Sequence, residues 1–479
     1  SAAVRAQVSP DRTTPSSSTV ATIGGSLIKA VTALGGGDLN LGAGFQLRRE
    51  TLMNRNQNFD LSYYQLITSS AQGSQTVTAG FFEVDAPFTR AIDVNVSGRY
   101  DHYSQGYGHF SPKIGVRLSP VEPIAFRATY SQGFRAPTFA ENNPLSSYAG
   151  FSSFNPPASF VAAHPGNAAY VSNYRLGRGT TGNPDILPEV SRSLTLGTII
   201  KPAHGLDLTV DYYNVKKSNL VISGPLRGEA IRAYYGETDA TAGCAALAAV
   251  GKGYRCNVID APDPANPNAL PRLIVFDVPY VNANYQVSSG IDVQANAHLA
   301  LARGVRLSER LDATRVLRLD LVTPGGVVQR YAGTLGPYQL SSGGGTPRIR
   351  GNWQNALEWG NLSLATTAYY VGRIKQVAAD EIAPVDGKID LSCSHTLAPI
   401  PKGSDVNKQC YVRPFLYVDL NAGVAVNDQL RLFLNVENVT NARAPLASGA
   451  YATNPNYLAS WHYAGLVGRN FSAGAKVQF

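Results

Sequence analysis

The sequence predicts an all-β chain: a transmembrane antiparallel β-barrel with about fifteen strands in this polypeptide. Three observations lead there. Apolar and polar residues alternate with period two in segment after segment, which gives each strand one apolar and one polar face. Charged residues recur on the polar face, where they would ruin a dry core but suit a wet or plugged lumen. Short and long connections alternate from end to end, as in a barrel with tight turns at one rim and long loops at the other. In a compact soluble domain, loops this long would argue against the strands themselves.

The predicted strands are 23–33, 39–52, 76–87, 91–102, 111–119, 123–132, 190–201, 205–218, 284–300, 304–318, 346–358, 361–372, 411–424, 428–438 and 464–479. The first pair flanks the turn Leu34-Gly-Gly-Gly-Asp38. In 91–102, Ile92, Val94, Val96 and Tyr100 face outward, and Asp93, Asn95, Ser97 and Arg99 inward. Ile114, Val116 and Leu118 then alternate with Gly115 and Arg117, and Phe126, Ala128 and Tyr130 with Arg127, Thr129 and Ser131. Leu206, Leu208, Val210 and Tyr212 oppose Asp207, Thr209, Asp211 and Tyr213; Ile291, Val293 and Ala295 oppose Asp292, Gln294 and Asn296. Leu416, Val418 and Leu420 oppose Tyr417, Asp419 and Asn421, and Leu430, Leu432 and Leu434 oppose Arg431, Phe433 and Asn435. The last strand alternates Phe471, Ala473, Ala475, Val477 and Phe479 with small or polar residues. Turns at 88–90, 120–123, 202–205, 301–304, 358–361 and 425–428 separate long connections at about 133–189, 219–283, 319–345, 373–409 and 439–463.

Composition narrows the class. Of 479 residues, 44% are hydrophobic and 15% charged, with 46 Gly and 25 Tyr, a profile suited to strands, turns and aromatic anchors. No apolar run is long enough for a helical membrane span. The net charge of +8 is scattered rather than clustered, which gives no reason to expect a nucleic-acid partner. Met53 is the only methionine, so Ser1 is not an initiator, and an export signal is expected upstream of a processed or truncated piece. Residues 1–22, rich in Ser, Thr, Pro and Ala, read as the remnant of a cut extracellular loop, and 23–479 as the barrel portion. Fifteen is an odd count where bacterial single-chain barrels use even ones, so further strands are expected on another segment or polypeptide.

The four cysteines fall in close pairs, Cys244 with Cys256 and Cys393 with Cys410, in polar segments between strands, and read as two local disulfides in oxidising surroundings. No GxSxG, HExxH or P-loop occurs, so no enzyme is expected. The seven histidines show no metal-ligand spacing, and neither a metal nor a cofactor is expected. Tyr100, Tyr212, Trp353, Tyr370 and Phe479 are candidates for aromatic girdles. Substrate contact is expected from the loop aromatics Tyr148, Phe151, Phe154, Tyr234 and Tyr235, whose alternative role is loop packing. A Cys244–Cys256 bridge would stiffen the second of these loops.

Several ordered stretches resemble the C-terminal part of TonB-dependent outer-membrane receptors: Gly80-Phe-Phe-Glu-Val-Asp-Ala-Pro-Phe88, Ser97-Gly-Arg-Tyr-Asp-His-Tyr103, Ser111-Pro-Lys-Ile-Gly-Val-Arg117, Arg127-Ala-Thr-Tyr-Ser-Gln-Gly-Phe-Arg-Ala-Pro137, Asn183-Pro-Asp-Ile-Leu-Pro-Glu189, Asp211-Tyr-Tyr-Asn214, Asn435-Val-Glu-Asn-Val-Thr-Asn441 and Gly468-Arg-Asn-Phe471. The resemblance implies a 22-stranded barrel around a plug, of which this chain supplies roughly strands 8 to 22. It implies uptake of a scarce siderophore, carbohydrate or peptide-like nutrient, driven by TonB through a plug-bearing N-terminal chain of the same receptor. It also implies Arg135 as an anchor of the following loop, Phe479 as a signal read by the barrel-assembly machinery, and contact with outer-membrane lipid and lipopolysaccharide. A passive diffusion channel and a secreted soluble β protein are the competing readings.

Overall fold

The computed structural model describes residues 15–55, 67–224, 226–323, 325–338, 341, 343–450 and 456–478. Fifteen long strands run as one antiparallel meander. They are β1 Ser16–Leu34, β2 Gly37–Asn54, β3 Ile67–Ala86, β4 Ile92–Tyr103 and β5 Gly108–Val121. Next come β6 Ile124–Arg135, β7 Glu189–Ala203, β8 Leu206–Ser218, β9 Tyr285–Ala300 and β10 Val305–Val322. The last five are β11 Ile349–Trp359, β12 Leu362–Val371, β13 Phe415–Ala425, β14 Leu430–Glu437 and β15 Asn470–Val477. Each strand pairs with its successor. Among the described residues β1 pairs only with β2, and β15 only with β14, so the wall has two open edges. Short strands from the long connections join this wall in a 21-stranded network, and the ribbon Ile374–Lys375 with Tyr411–Val412 stands apart.

The register carries the alternation from strand to strand. One row crosses β4 to β9 as Ile92, Leu118, Phe126, Thr198, Val210 and Val293. The row beside it, on the opposite face, reads Asp93, Arg117, Arg127, Gly197, Asp211 and Asp292. The apolar row is open to its surroundings, with Ile92 at 39% and Phe126 at 45% exposure. Such a face needs hydrocarbon, since water would oppose so large an apolar band. On its apolar face Tyr100 stands opposite Phe110, Trp353 opposite Leu311 and Tyr370 opposite Leu416, all exposed. Tyr212 is half-buried, and Phe479 lies outside the described residues.

Inward charges satisfy one another along and across strands. Arg99 Nη2 donates to Asp101 Oδ1 at 2.8 Å and to Gln46 Oε1 at 2.9 Å. Asn95 donates to Glu83 at 2.8 Å, Asn296 to Asp207 at 3.0 Å, and Thr314 to Asp292 at 2.7 Å. Arg127 on β6 reaches Asp211 on β8 across the intervening β7, with Nε donating at 2.9 Å. The crossing point is Gly197, where a Cβ would overlap the Asp211 carboxylate and come within 2.8 Å of Arg127 Nε.

Three boundaries differ by six residues or more from the sequence reading. β1 begins at Ser16 rather than 23, because residues 16–22 pair with Arg48–Asn54 of β2; only the part of segment 1–22 before Ser16 precedes the wall. β3 begins at Ile67 because its first residues pair with the loop strand Ser147–Phe154, which no local periodicity announces. The last strand begins at Asn470 instead of 464. Residues Ala459–Val467 are helical and end at Gly468, whose φ of +82° is readily adopted by glycine.

Gly197→Val is expected to lower the stability of the detergent-solubilised protein by ~1–3 kcal/mol through overpacking of the lumen wall. Asp211→Asn, which leaves the space intact at a largely solvated pair, should cost less than ~1 kcal/mol. Thermal unfolding followed by heat-modifiable gel mobility ranks the two; equal stability of Gly197→Val and wild type contradicts the crossing geometry.

Candidate functional site

The turn-side connections are short, whereas the opposite rim carries two packed lobes. The first is built from residues 136–188 and 219–284. Its strands Ser147–Phe154 and Tyr174–Thr181 are antiparallel, and Leu273–Asn282 adds in parallel beside the second. Helices α1 Arg227–Tyr235 and α2 Ala240–Ala249 cover this sheet. Asp239 caps α2, its carboxylate accepting from Ala242 N at 2.9 Å. The Cys244–Cys256 disulfide ties α2 to the strand Arg255–Ile259, with Cα atoms 5.6 Å apart.

Within this lobe the structure brings together three of the five predicted aromatics. Tyr234 is fully buried and donates to Pro271 O at 2.9 Å. Tyr235 is 5% exposed, accepts from Leu273 N at 3.2 Å and shares a hydrogen bond with Tyr174. Phe154 stacks on Tyr235 with ring centroids 5.5 Å apart and meets Tyr174 edge-on. Burial pushes the Tyr174, Tyr234 and Tyr235 phenols above their ordinary range. These rings form the lobe's core together with Phe160, Tyr170, Leu247 and Phe276. In this conformation Tyr234 and Tyr235 are turned into the lobe, because long loops that project beyond the wall must supply their own apolar interior. Tyr148 is 39% exposed and Phe151 half-buried, on the strand that leads from the rim into the lobe.

The second lobe combines the described residues of 323–348, 372–414 and 438–469. Its core contains Leu335, Ile374, Val412, Ala447 and Leu458. Tyr338 donates to Gly449 O at 2.6 Å, and the Trp461 indole to Gly344 O at 2.9 Å, so polar ends of half-buried rings stitch the three connections together. Cys393–Cys410 is the second disulfide, as the sequence suggests. Gln376, 3% exposed, donates to Gln409 O and accepts from Gly449 N, spanning two connections. The helix Ala459–Val467, now α3, buries His462 against the Phe415 ring, centroids 5.1 Å apart.

Both lobes are fastened to the wall. Arg135, at the end of β6, donates to Glu141 at 2.8 Å and to Glu189 at 2.7 Å, fixing both ends of connection 136–188. Leu319 and Leu321 of β10 pack with Ala283, Tyr331 and Ala379 where the lobes meet, and Arg227 faces Glu381 there at 3.5 Å. No group of three or more His, Cys, Asp or Glu side chains among the described residues is placed to hold a metal.

A family model described as TonB dependent receptor-like, beta-barrel, matches residues 5–439. The chain belongs to that family. It is an outer-membrane β-barrel, and among the described residues no helix is long and apolar enough to cross a membrane. Among solved structures, the chain is similar to a point mutant of the ferric enterobactin receptor of Pseudomonas aeruginosa bound to enterobactin, at 16% identity and TM-score 0.58 over 97% of this chain and 55% of that one. It is similar to the siderophore receptor PirA of Acinetobacter baumannii, at 13% identity and TM-score 0.59, with 97% and 55% covered. It also resembles a double mutant of the Serratia marcescens hemophore receptor HasR, in complex with its hemophore HasA and heme, at 14% identity and TM-score 0.51, with 97% and 60% covered. The chain spans a little over half the length of these receptors. No curated protein matches it.

Sequence reasoning missed the second lobe's fasteners. Trp461 and His462 lie where a loop was expected to run into the last strand; the signal available was Gly468, a helix-ending residue. Replacing both Cys244 and Cys256 by Ser should weaken the first lobe by about 3 kcal/mol, as expected for a bridge closing a loop of this size. Limited proteolysis should then cut within 219–284 while the barrel strands stay protected; an unchanged digestion pattern would contradict this role. Burial also depresses the His462 imidazole from 6.5 to about 4. Between these values the undocked segment takes up a proton that docked α3 refuses. Docking is therefore at full strength above pH 6.5 and loses up to ~3 kcal/mol as pH falls toward 4. Hydrogen-exchange protection factors of Ala459–Val467, corrected for the intrinsic pH dependence of exchange, should fall as pH is lowered across that window, and His462→Phe should remove the dependence.

Proposed function

We propose that this chain is the C-terminal barrel part of a TonB-dependent importer that takes up a scarce nutrient, of siderophore, carbohydrate or peptide-like chemistry, across the outer membrane of a Gram-negative bacterium. The observation that carries this reading is the open fifteen-strand wall of a TonB-dependent receptor-like barrel. Unpaired edges facing hydrocarbon leave backbone N–H and C=O groups unsatisfied, at several kcal/mol each, so the wall requires further strands. About seven more would complete the 22 that the resemblance implies. They would come from the N-terminal part of the receptor, on a preceding segment or a separate plug-bearing chain.

In this mechanism ligand binds between the extracellular lobes and the plug, and TonB pulls on the plug to open a path. Tyr148 and Phe151 are the predicted aromatics that remain within a ligand's reach; Phe154, Tyr234 and Tyr235 act through the rigidity of the lobe that presents them. The family is one of receptors and transporters, and the barrel performs no covalent chemistry. Phe479 is proposed as the assembly signal.

The test uses the complete receptor expressed in cells lacking their own siderophore receptors, under iron limitation. Growth on a panel of ferric siderophores is expected to require both this protein and TonB. Purified receptor in planar bilayers is expected to conduct no steady current. TonB-independent uptake together with constitutive conductance would replace the importer by a passive channel.

A further inference from the structure

A polar row interrupts the apolar outer face halfway up the wall. Glu309 of β10 lies between Leu307 and Leu311, on the face that Leu311 shares with the exposed Trp353. In the ladder Glu309 stands directly opposite Asn355 of β11, and Asn355 opposite Thr366 of β12. The row continues into Ala297 and Leu206 on one side and Leu420 on the other. The adjoining outward rows are apolar, with Ala295, Leu311, Trp353 and Ala368 toward the lobes. Leu307, Leu357 and Leu364 lie toward the turns. Aromatic residues mark the edges of this band: Trp359 ends β11 at the turn side, and Tyr370 pairs with Gly351 at the lobe side, both exposed. Asn355 is four residues from each of those levels. At ~3.3 Å per residue and the usual barrel tilt, it lies about 10 Å from either interface.

Neither side chain is long enough to reach the headgroups as lysine and arginine do. The nearest cations along β10, Arg306 and Arg310, point into the lumen and pair with Glu358 and Asp312. Among the described residues Glu309 and Asn355 make no side-chain hydrogen bond or ion pair. Hydrocarbon offers none, so a carboxyl and a carboxamide facing it are costly whether or not the carboxyl is charged. The surroundings permit close approach. Ala297, Ala313, Gly351 and Ala368 are small, and beside Glu309 runs a groove of about 340 Å³ bounded by Ala295, Leu311 and Trp353. In lipid, where apolar contact alone drives little association, small residues bring backbones near enough for polar side chains to bond across the gap.

Complementarity selects the occupant. The row holds an acceptor, the Glu309 carboxylate, next to two donors, the Asn355 amide and the Thr366 hydroxyl, and so it complements a copy of itself. Copies of a barrel sit in the membrane in one orientation, with long loops on the same side. A two-fold axis between them therefore runs along the membrane normal and keeps each residue at its own depth. Glu309 of one copy then meets the Asn355 and Thr366 level of the other, and the contact repeats reciprocally. The geometry points to a homodimer formed within the membrane, in which Glu309 of each protomer accepts from Asn355 of its partner. This contact rests on the barrel itself and not on what the receptor imports.

The test uses complete receptor, in density-matched detergent for sedimentation equilibrium and in isolated outer membranes for amine-reactive crosslinking. Wild type is expected to dimerise, and E309L/N355L to self-associate at least about tenfold more weakly. Leucine suits a lipid-facing position, so the heat-modifiable mobility of this variant should match wild type. E309N/N355E exchanges acceptor and donor while keeping the contact reciprocal, and should restore the dimer. A wild type that is monomeric in both media overturns the proposal. So does a dimer that E309L/N355L leaves intact or that E309N/N355E fails to restore. A foreign membrane protein held at this face in place of the second copy overturns it as well. TonB-dependent growth should be equal for wild type and both variants. Failure of wild type to support that growth, with the dimer intact, would count against the importer reading alone.

Discussion

The barrel wall of this chain follows from the need to satisfy backbone hydrogen bonds where no water is present. In hydrocarbon a polypeptide segment must find its donors and acceptors within protein. The meander does so strand by strand, each ladder antiparallel and closed at alternate ends by turns such as Gly35–Gly36 and Gly360–Asn361. Once the ladders are fixed, side-chain direction is fixed with them, because a slip of one residue would turn Ile92, Leu118 and Phe126 inward and Asp93, Arg117 and Arg127 out into lipid. The register is therefore held as firmly by the cost of the wrong face as by the hydrogen bonds themselves.

The lumen face solves a different problem. Its charges stand on neighbouring strands, often like beside like, as at Arg117 and Arg127 or Asp211 and Asp292. Pairing across two strands at Gly197, and along one strand at Arg99–Asp101 and Arg310–Asp312, disperses that repulsion without burying any charge completely. Such solvated pairs add little stability individually. Their consequence is a wall on which the paired polar groups hold one another in place.

That division explains what could be read from the sequence. Strands were legible because a wall between two unlike media imposes period two on each of them, and the short turns were legible from their glycines and prolines. The lobes were not, since a loop core has no period: Phe154, Tyr174 and Tyr235 come from distant stretches and meet only once Tyr174–Thr181 lies beside Leu273–Asn282. An aromatic in a long polar connection looks the same whether it lies at the surface or in a loop's own interior, and the structure leaves Tyr148 exposed and buries Tyr234. The cysteines were legible because proximity in sequence made their pairing local. The start of β1 was missed because Ser16–Thr19 carries no apolar alternation and is extended only by virtue of its pairing with β2.

The wall also makes such lobes possible. Residues 136–188 begin and end on β6 and β7, which are hydrogen-bonded neighbours, with Arg135 holding Glu189 across the gap. Closing a loop between fixed neighbouring ends costs entropy that grows only logarithmically with its length, whereas each aromatic ring buried in the lobe contributes on the order of 1.5–3 kcal/mol. Past a certain length, a loop gains more by acquiring a core than by staying short. A lobe ordered in advance then surrenders less freedom when something binds to it. Rigidity at the mouth is thus a consequence of the same hydrogen-bonded rim that seals the strands against lipid.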